Sequence, residues 1–242
     1  MNKLNENIIT LYSKWKEGYV RKENNIKLRV KDFLSNKNKK DADIFKISKD
    51  GKYLDASGDV YIYDEDIHDG KLPVPFGDVK GAFYCNNCDN LTSLEGAPKE
   101  VGGIFNCSNC RNLTSLDGAP KEVGIFICTL CQSLTSLEGA PKKIDNDFDC
   151  SGCKSLTSLE GATDEVGRDF NCNNCENLTS LKGAPENLRL FDCSGCEKLS
   201  SLEYLPKEVD YLHIDERFED KIPMDVTIKG KVVLNKTKIK KW

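Results

Sequence analysis

Twelve cysteines stand in six C-x-x-C pairs, Cys85/Cys88, Cys107/Cys110, Cys128/Cys131, Cys150/Cys153, Cys172/Cys175 and Cys193/Cys196, and these account for every cysteine in the chain. The spacing is shared by zinc-binding thiolates and thiol–disulfide catalysts, because two intervening residues let both sulfurs reach one metal ion or each other. Pairs stacked about 4.8 Å apart in successive turns of the chain could also assemble four-thiolate zinc sites. Zinc knuckles, however, usually turn through Gly just after the second Cys. Here the next residues are Asp89, Arg111, Gln132, Lys154, Glu176 and Glu197. The first Cys of each pair also falls where the surrounding pattern calls for an inward apolar residue, a place a free thiol fills as a small hydrophobe. A buried cysteine ladder is therefore favoured over metal or redox chemistry, with a zinc-holding or purely structural repeat protein as the alternative.

Other catalytic chemistry is thinly represented. The only histidines are His68 and His213, and no P-loop, GxGxxG unit or nucleophile–base–orienter set occurs. Asp147 and Asp149 alternate along one segment, but alternate acidic residues are common on a solvated sheet. The expectation is a non-enzymatic protein with no cofactor.

The cysteines belong to a unit of 21 or 22 residues, V-G-x-x-F-x-C-x-x-C-x-x-L-T-S-L-x-G-A-P-K-E, that recurs six times. Phe and the first Cys alternate with period two, which predicts a short strand with one face on a core. Phe105 and Cys107 then point inward, and Ile104, Asn106 and Ser108 outward. After the second Cys, apolar residues come every third position, and Gly-Ala-Pro turns the chain back. One such unit cannot bury its own Phe, Val and Leu, so the copies must stack.

The segment F-x-C-x-x-C-x-x-L resembles the consensus of leucine-rich repeats in the variant that carries Cys where others carry Asn. The further pattern L-T-S-L-E-G-A-P-K-E-V-G-G, with D-G-x-x-x-D-x-x-G-D-V-Y-I-Y over residues 50–63, resembles short repeat proteins of bacteria and bacteriophages. The resemblance implies an α/β-type repeat solenoid. It would be a right-handed coil with a parallel β-sheet on the concave face, a mostly non-helical convex side and a small α-containing N-terminal cap. The second Cys would take the place of the Asn that hydrogen-bonds the neighbouring turn.

Around this core the chain divides into a basic N-terminal cap (1–50), a degenerate first coil (51–78), six tandem repeats (79–208) and a C-terminal capping coil (209–242). Ile8, Ile9, Leu11, Tyr12 and Trp15 predict an amphipathic helix over 5–17, whereas Ile26, Leu28 and Val30 alternate like a strand. Residues 1–50 carry 13 Lys and Arg against 7 Asp and Glu, and residues 51–208 carry 14 against 26, so an acidic body follows a basic end. Such a body repels nucleic acid, leaving the N-terminal segment as its one plausible contact, and steers basic partners towards itself. Without an apolar leader or a run of about 20 apolar residues, a monomeric cytoplasmic protein is expected.

A partner would meet the outward strand residues of the concave face. Tyr61, Tyr63, Tyr84, Ile104, Asn106, Ile125, Ile127 and Leu130 make its first half aromatic and aliphatic. Asp147, Asp149, Asp169, Asn171, Asp192, Tyr211 and His213 make the second half acidic. The third copy departs most, with Ile125, Ile127 and Leu130 where its siblings are mostly polar. From the resemblance, the expected function is a protein-binding module, a phage or bacterial effector that inhibits a host defence protein.

Overall fold

In the computed structural model, which describes residues 26–35, 37, 42–163 and 165–236, the repeats form a parallel β-solenoid. After helix α1 (Ile26–Ser35) come β1 (Phe45–Ile47), β2 (Leu54–Ala56), β3 (Val60–Tyr61), β4 (Phe76–Val79), β5 (Phe83–Tyr84), β6 (Glu100–Asn106) and β7 (Glu122–Ile127). They are followed by β8 (Lys143–Ile144), β9 (Phe148–Asp149), β10 (Asp169–Asn171), β11 (Asn187–Asp192), β12 (Glu208–Asp215) and β13 (Thr227–Asn235). All 13 strands share one sheet, and each coil lays its strand parallel to the last, except that β1 runs antiparallel to β2.

Register is fixed by the interior. Phe83, Phe105, Phe126, Phe148, Phe170 and Phe191 pair in one column across β5–β11, fully buried, with successive ring centroids 5.0–5.9 Å apart. The column begins at Val60 and continues through Leu212 to Val232. Each buried ring contributes about 1.5–3 kcal/mol. The two leucines of every repeat line the opposite wall, with exposures of 2% or less.

Both cysteine columns lie inside, and all twelve thiols are free and buried. The second Cys does what an Asn would do there. Cys110 Sγ donates to the Cys85 carbonyl at 3.1 Å, Cys131 to Cys107 at 3.3 Å, Cys153 to Cys128 at 3.1 Å, Cys175 to Cys150 at 3.3 Å and Cys196 to Cys172 at 3.3 Å. One small side chain thus fills core volume and satisfies a carbonyl of the preceding coil.

The turns have their own logic. In T-S-L-E the Ser hydroxyl accepts the N–H two residues on: Glu95 from Ser93, Asp117 from Ser115, Glu138 from Ser136, Glu160 from Ser158, Lys182 from Ser180 and Glu203 from Ser201, at 2.9–3.4 Å. The following Gly has positive φ and lies against the coil before it. At Gly118 (φ 94°) a Cβ would stand 2.7 Å from the Leu94 carbonyl oxygen.

At the N-terminal end the strand expected over Ile26–Val30 is a helix instead. Ile26, Val30 and Phe33 recur at helical spacing and turn one face to the coil, while Leu28 stays exposed. Over so short a window, alternation could not be told from the helical period. Phe33 meets Phe45 and Phe76 edge-on, both at 5.8 Å. Beside it, the Lys37 ammonium reaches the buried Asp66 carboxylate at 2.8 Å over the rings of Phe33 and Tyr63. The helix expected over 5–17 lies outside the described residues. At the other end β13 follows β12 in parallel and places Lys229 and Lys231 on the terminal strand, a common protection of sheet edges. Among the described residues no helix is long and apolar enough to cross a membrane.

Removing one ring from the middle of the column tests how much it carries. Phe148→Ala is expected to cost about 3–5 kcal/mol in urea unfolding, because neighbouring coils locked in register cannot collapse into the cavity.

Candidate functional site

Every second strand residue points away from the core, so the coils place these residues in columns. One column runs Tyr61, Tyr84, Asn106, Ile127, Asp149, Asn171, Asp192 and His213. The column beside it brings Ile104 next to Ile125 and Asp169 next to Leu190 and Tyr211, with Asp147 between the two groups. The residues predicted for a partner are therefore assembled on one sheet face. Tyr63 and Leu130 stand in the turns that follow.

The face has an apolar and an acidic part. Tyr61 and Tyr84 stack at 5.0 Å with their planes 13° apart, and Tyr61, Tyr63, Leu130 and Tyr211 are each more than 40% exposed. Ile104, Ile125 and Ile127 are half-buried beside them. Beyond Ile127 the aliphatic columns give way to Asp147, Asp149 and Asp169. Arg189 pairs with Asp169 through Oδ2, yet Asp147 Oδ1 and Asp169 Oδ1 are buried and accept no hydrogen bond among the described residues. A buried carboxylate oxygen without a donor is costly.

Four of the predicted contact residues also have a structural task. Asn106, Asp149, Asn171 and Asp192 each accept, through Oδ1, the backbone N–H two residues on, at 2.9–3.0 Å. These Asx turns lead the chain into the C-x-x-C bend. The signal was present as Asn or Asp two residues before Ser or Asn in four repeats, but it reads as an interaction surface unless the backbone path is known. Ile127 and Tyr84 have no such acceptor.

A polar cluster closes the acidic end. Asp192 Oδ1 accepts from the Ser194 hydroxyl at 2.7 Å, and its Oδ2 accepts from Asn173 at 3.2 Å with His213 Nδ1 3.5 Å away. The aspartate sits between serine and histidine, whereas nucleophile activation requires the histidine between the other two. Asp215, 2% exposed, is held by the Gly195 N–H and Arg217.

Most of the cysteines sit where ionisation is opposed, whereas a hydrogen bond with Cys107 holds the Cys131 thiol below its ordinary value. Burial pushes Cys85, Cys150, Cys172 and Cys193 well up, and Cys88 to about 12. Hydrogen bonds to Cys131 and Cys153, with burial added, do the same for Cys107 and Cys128. The thiolate is the reactive and metal-binding form, and the environments of these raised thiols disfavour it. Among the described residues no group of three or more His, Cys, Asp or Glu side chains is placed to hold a metal ion.

Two measurements check these assignments. A thiol reagent is expected to find almost no reactive cysteine in the native protein and twelve after denaturation without reductant. Because burial raises thiols such as Cys85 and Cys88 above the ordinary value of 9.0, the stabilisation they contribute is complete below about pH 9 and is lost as pH rises towards 12, so the urea midpoint should fall across that window. Separately, Asp149→Ala is expected to cost about 1 kcal/mol through the lost turn bond, whereas Asp149→Asn keeps the acceptor and most of the stability.

Comparison with protein-family models, with curated proteins and with solved structures gave no match to this chain, so its function is argued from the geometry of the sheet face.

Proposed function

We propose that this protein is a non-enzymatic binding module of the leucine-rich-repeat kind, whose outward sheet face holds a partner protein segment with an aliphatic stretch followed by Lys or Arg. The observation that carries the reading is the junction, on one sheet face, of the aliphatic patch of Ile104, Ile125 and Ile127 with the acidic residues Asp147, Asp149 and Asp169 on the next two coils. Basic groups of a partner would pair with the acidic part of the face, and the patch would bury against its apolar side chains. The acidic body would speed the encounter of the two proteins. Following the resemblance to repeat proteins of bacteria and bacteriophages, the partner we propose is a host protein whose working surface the solenoid covers and thereby inhibits.

The test is affinity purification from bacterial lysate with the wild type, Ile104→Asp/Ile127→Asp and Asp147→Lys, followed by titration of the captured protein. One protein held by the wild type, and bound at least about 100-fold more weakly by both folded variants, supports the reading, as loss of a buried anchor or of a desolvated charge pair costs about 2–5 kcal/mol. Equal binding by all three would remove the sheet face from the interaction.

A further inference from the structure

Each C-x-x-C bend ends on a residue with left-handed backbone: Asn87 (φ 59°), Asn109 (55°), Leu130 (58°), Gly152 (69°), Asn174 (56°) and Gly195 (72°). Asn and Gly adopt this conformation at least cost, and they hold five of the six places. Leu130 is the exception. Its side chain is 47% exposed, so burial does not compensate the strained backbone.

The same bend has given up a second support. In four repeats Asn or Asp caps the N–H two residues on, but here the cap position is Ile127. An asparagine at position 130 would suit the fold better on both counts. It tolerates positive φ, and it would extend the bond by which Asn109 Nδ2 donates to Asn87 Oδ1 at 2.9 Å. The next coil instead accommodates the leucine: a Cβ at Gly152 would stand 2.7 Å from Leu130 Cδ2. Two departures from the repeat's own stabilising pattern thus fall three residues apart, at half-buried Ile127 and exposed Leu130. They coincide with the seam where aliphatic columns meet Asp147 and Asp149. Local choices that oppose the fold concentrate where function requires them. Tyr204 (φ 66°) is also bulky and left-handed, but it replaces the turn Gly after Leu202, away from this seam.

We propose that Leu130 is the residue by which the partner is recognised: it enters an apolar pocket on the partner, Ile127 packs the rim, and a Lys or Arg of the partner meets Asp147 and Asp169 on the coils beyond. Leu130 stands in register with Gly152, five residues past Asp147, so the apolar pocket and the cation of the partner lie roughly 10–17 Å apart, at about 3.3 Å per residue along the chain and 4.8 Å per coil. This rests on the protein-binding reading of the sheet face.

The test selects a displayed library of random peptides against the full chain, then measures the enriched peptides against Leu130→Asn, Leu130→Met and Asp147→Lys by fluorescence anisotropy, with thermal melts of each variant. The expected result is peptides carrying aliphatic or aromatic residues at fixed spacing from Lys or Arg. Their affinity should fall at least tenfold on Leu130→Asn and on Asp147→Lys and be largely kept by Leu130→Met, while the melting temperature of Leu130→Asn is unchanged or about 2 °C higher. Peptides that lose affinity on Asp147→Lys but bind Leu130→Asn as well as wild type would leave the binding face standing and overturn the anchor. A Leu130→Asn protein that melts lower would make the leucine structural and overturn it as well. Enrichment of no peptide at all would remove the binding face and the anchor together.

Discussion

Everything in this molecule depends on the coils stacking in register. A single repeat has too little apolar surface to hold itself, so each Phe, Cys and Leu is buried only by its counterpart one coil away. A slip of one residue would turn Phe and Cys outward and the polar columns inward, which makes register the most strongly enforced property of the fold. The thiol-to-carbonyl bonds enforce it further. Five of the six second cysteines reach the carbonyl of the first Cys of the preceding coil, and Cys88 reaches that of Ile62, so a shifted coil would lose core packing and a hydrogen bond together.

Because the interior repeats so closely, the outward positions are the part of the molecule free to differ between coils. Most of them still serve the turns: Asn106, Asp149, Asn171 and Asp192 each bond the backbone, and Ser93 and its five equivalents do so on the other bend. The third repeat gives up both the Asx acceptor and the left-handed Asn or Gly of its C-x-x-C bend. A surface residue that opposes its own local structure differs from an ordinary exposed leucine, which needs no explanation.

The ends show how a repeat stops. Helix α1 lays Val30 and Phe33 on the first coil, and β1 adds an antiparallel strand to the sheet margin. At the far end β13 keeps Ile228, Val232 and Leu234 half-buried under the preceding strand and carries lysines along the last edge. Ion pairs between coils, such as Lys154–Glu176 and Lys182–Glu160, decorate the exposed turns, where solvent leaves them little weight.

The sequence by itself determined the period, the inward columns of Phe, Cys and Leu, and the stacking of the coils, because those follow from apolar spacing repeated too often to satisfy any other arrangement, whereas the parallel sheet was what the resemblance implied. It also placed Tyr61, Tyr84, Ile104, Ile127, Asp147 and Asp149 on one face, since strand alternation has period two. Only the tertiary structure decided what the polar members of that face do. Whether Asp149 is a bare charge or a turn cap depends on its distance from the Ser151 N–H, and whether Asp147 has a donor depends on where Arg189 reaches from two coils away. Nor could spacing reveal that Leu130 has positive φ or that residues 26–35 coil into a helix. Backbone dihedral angles at a bend, and the choice between periods two and 3.6 over a few residues, are settled by the neighbouring coil against which the segment packs.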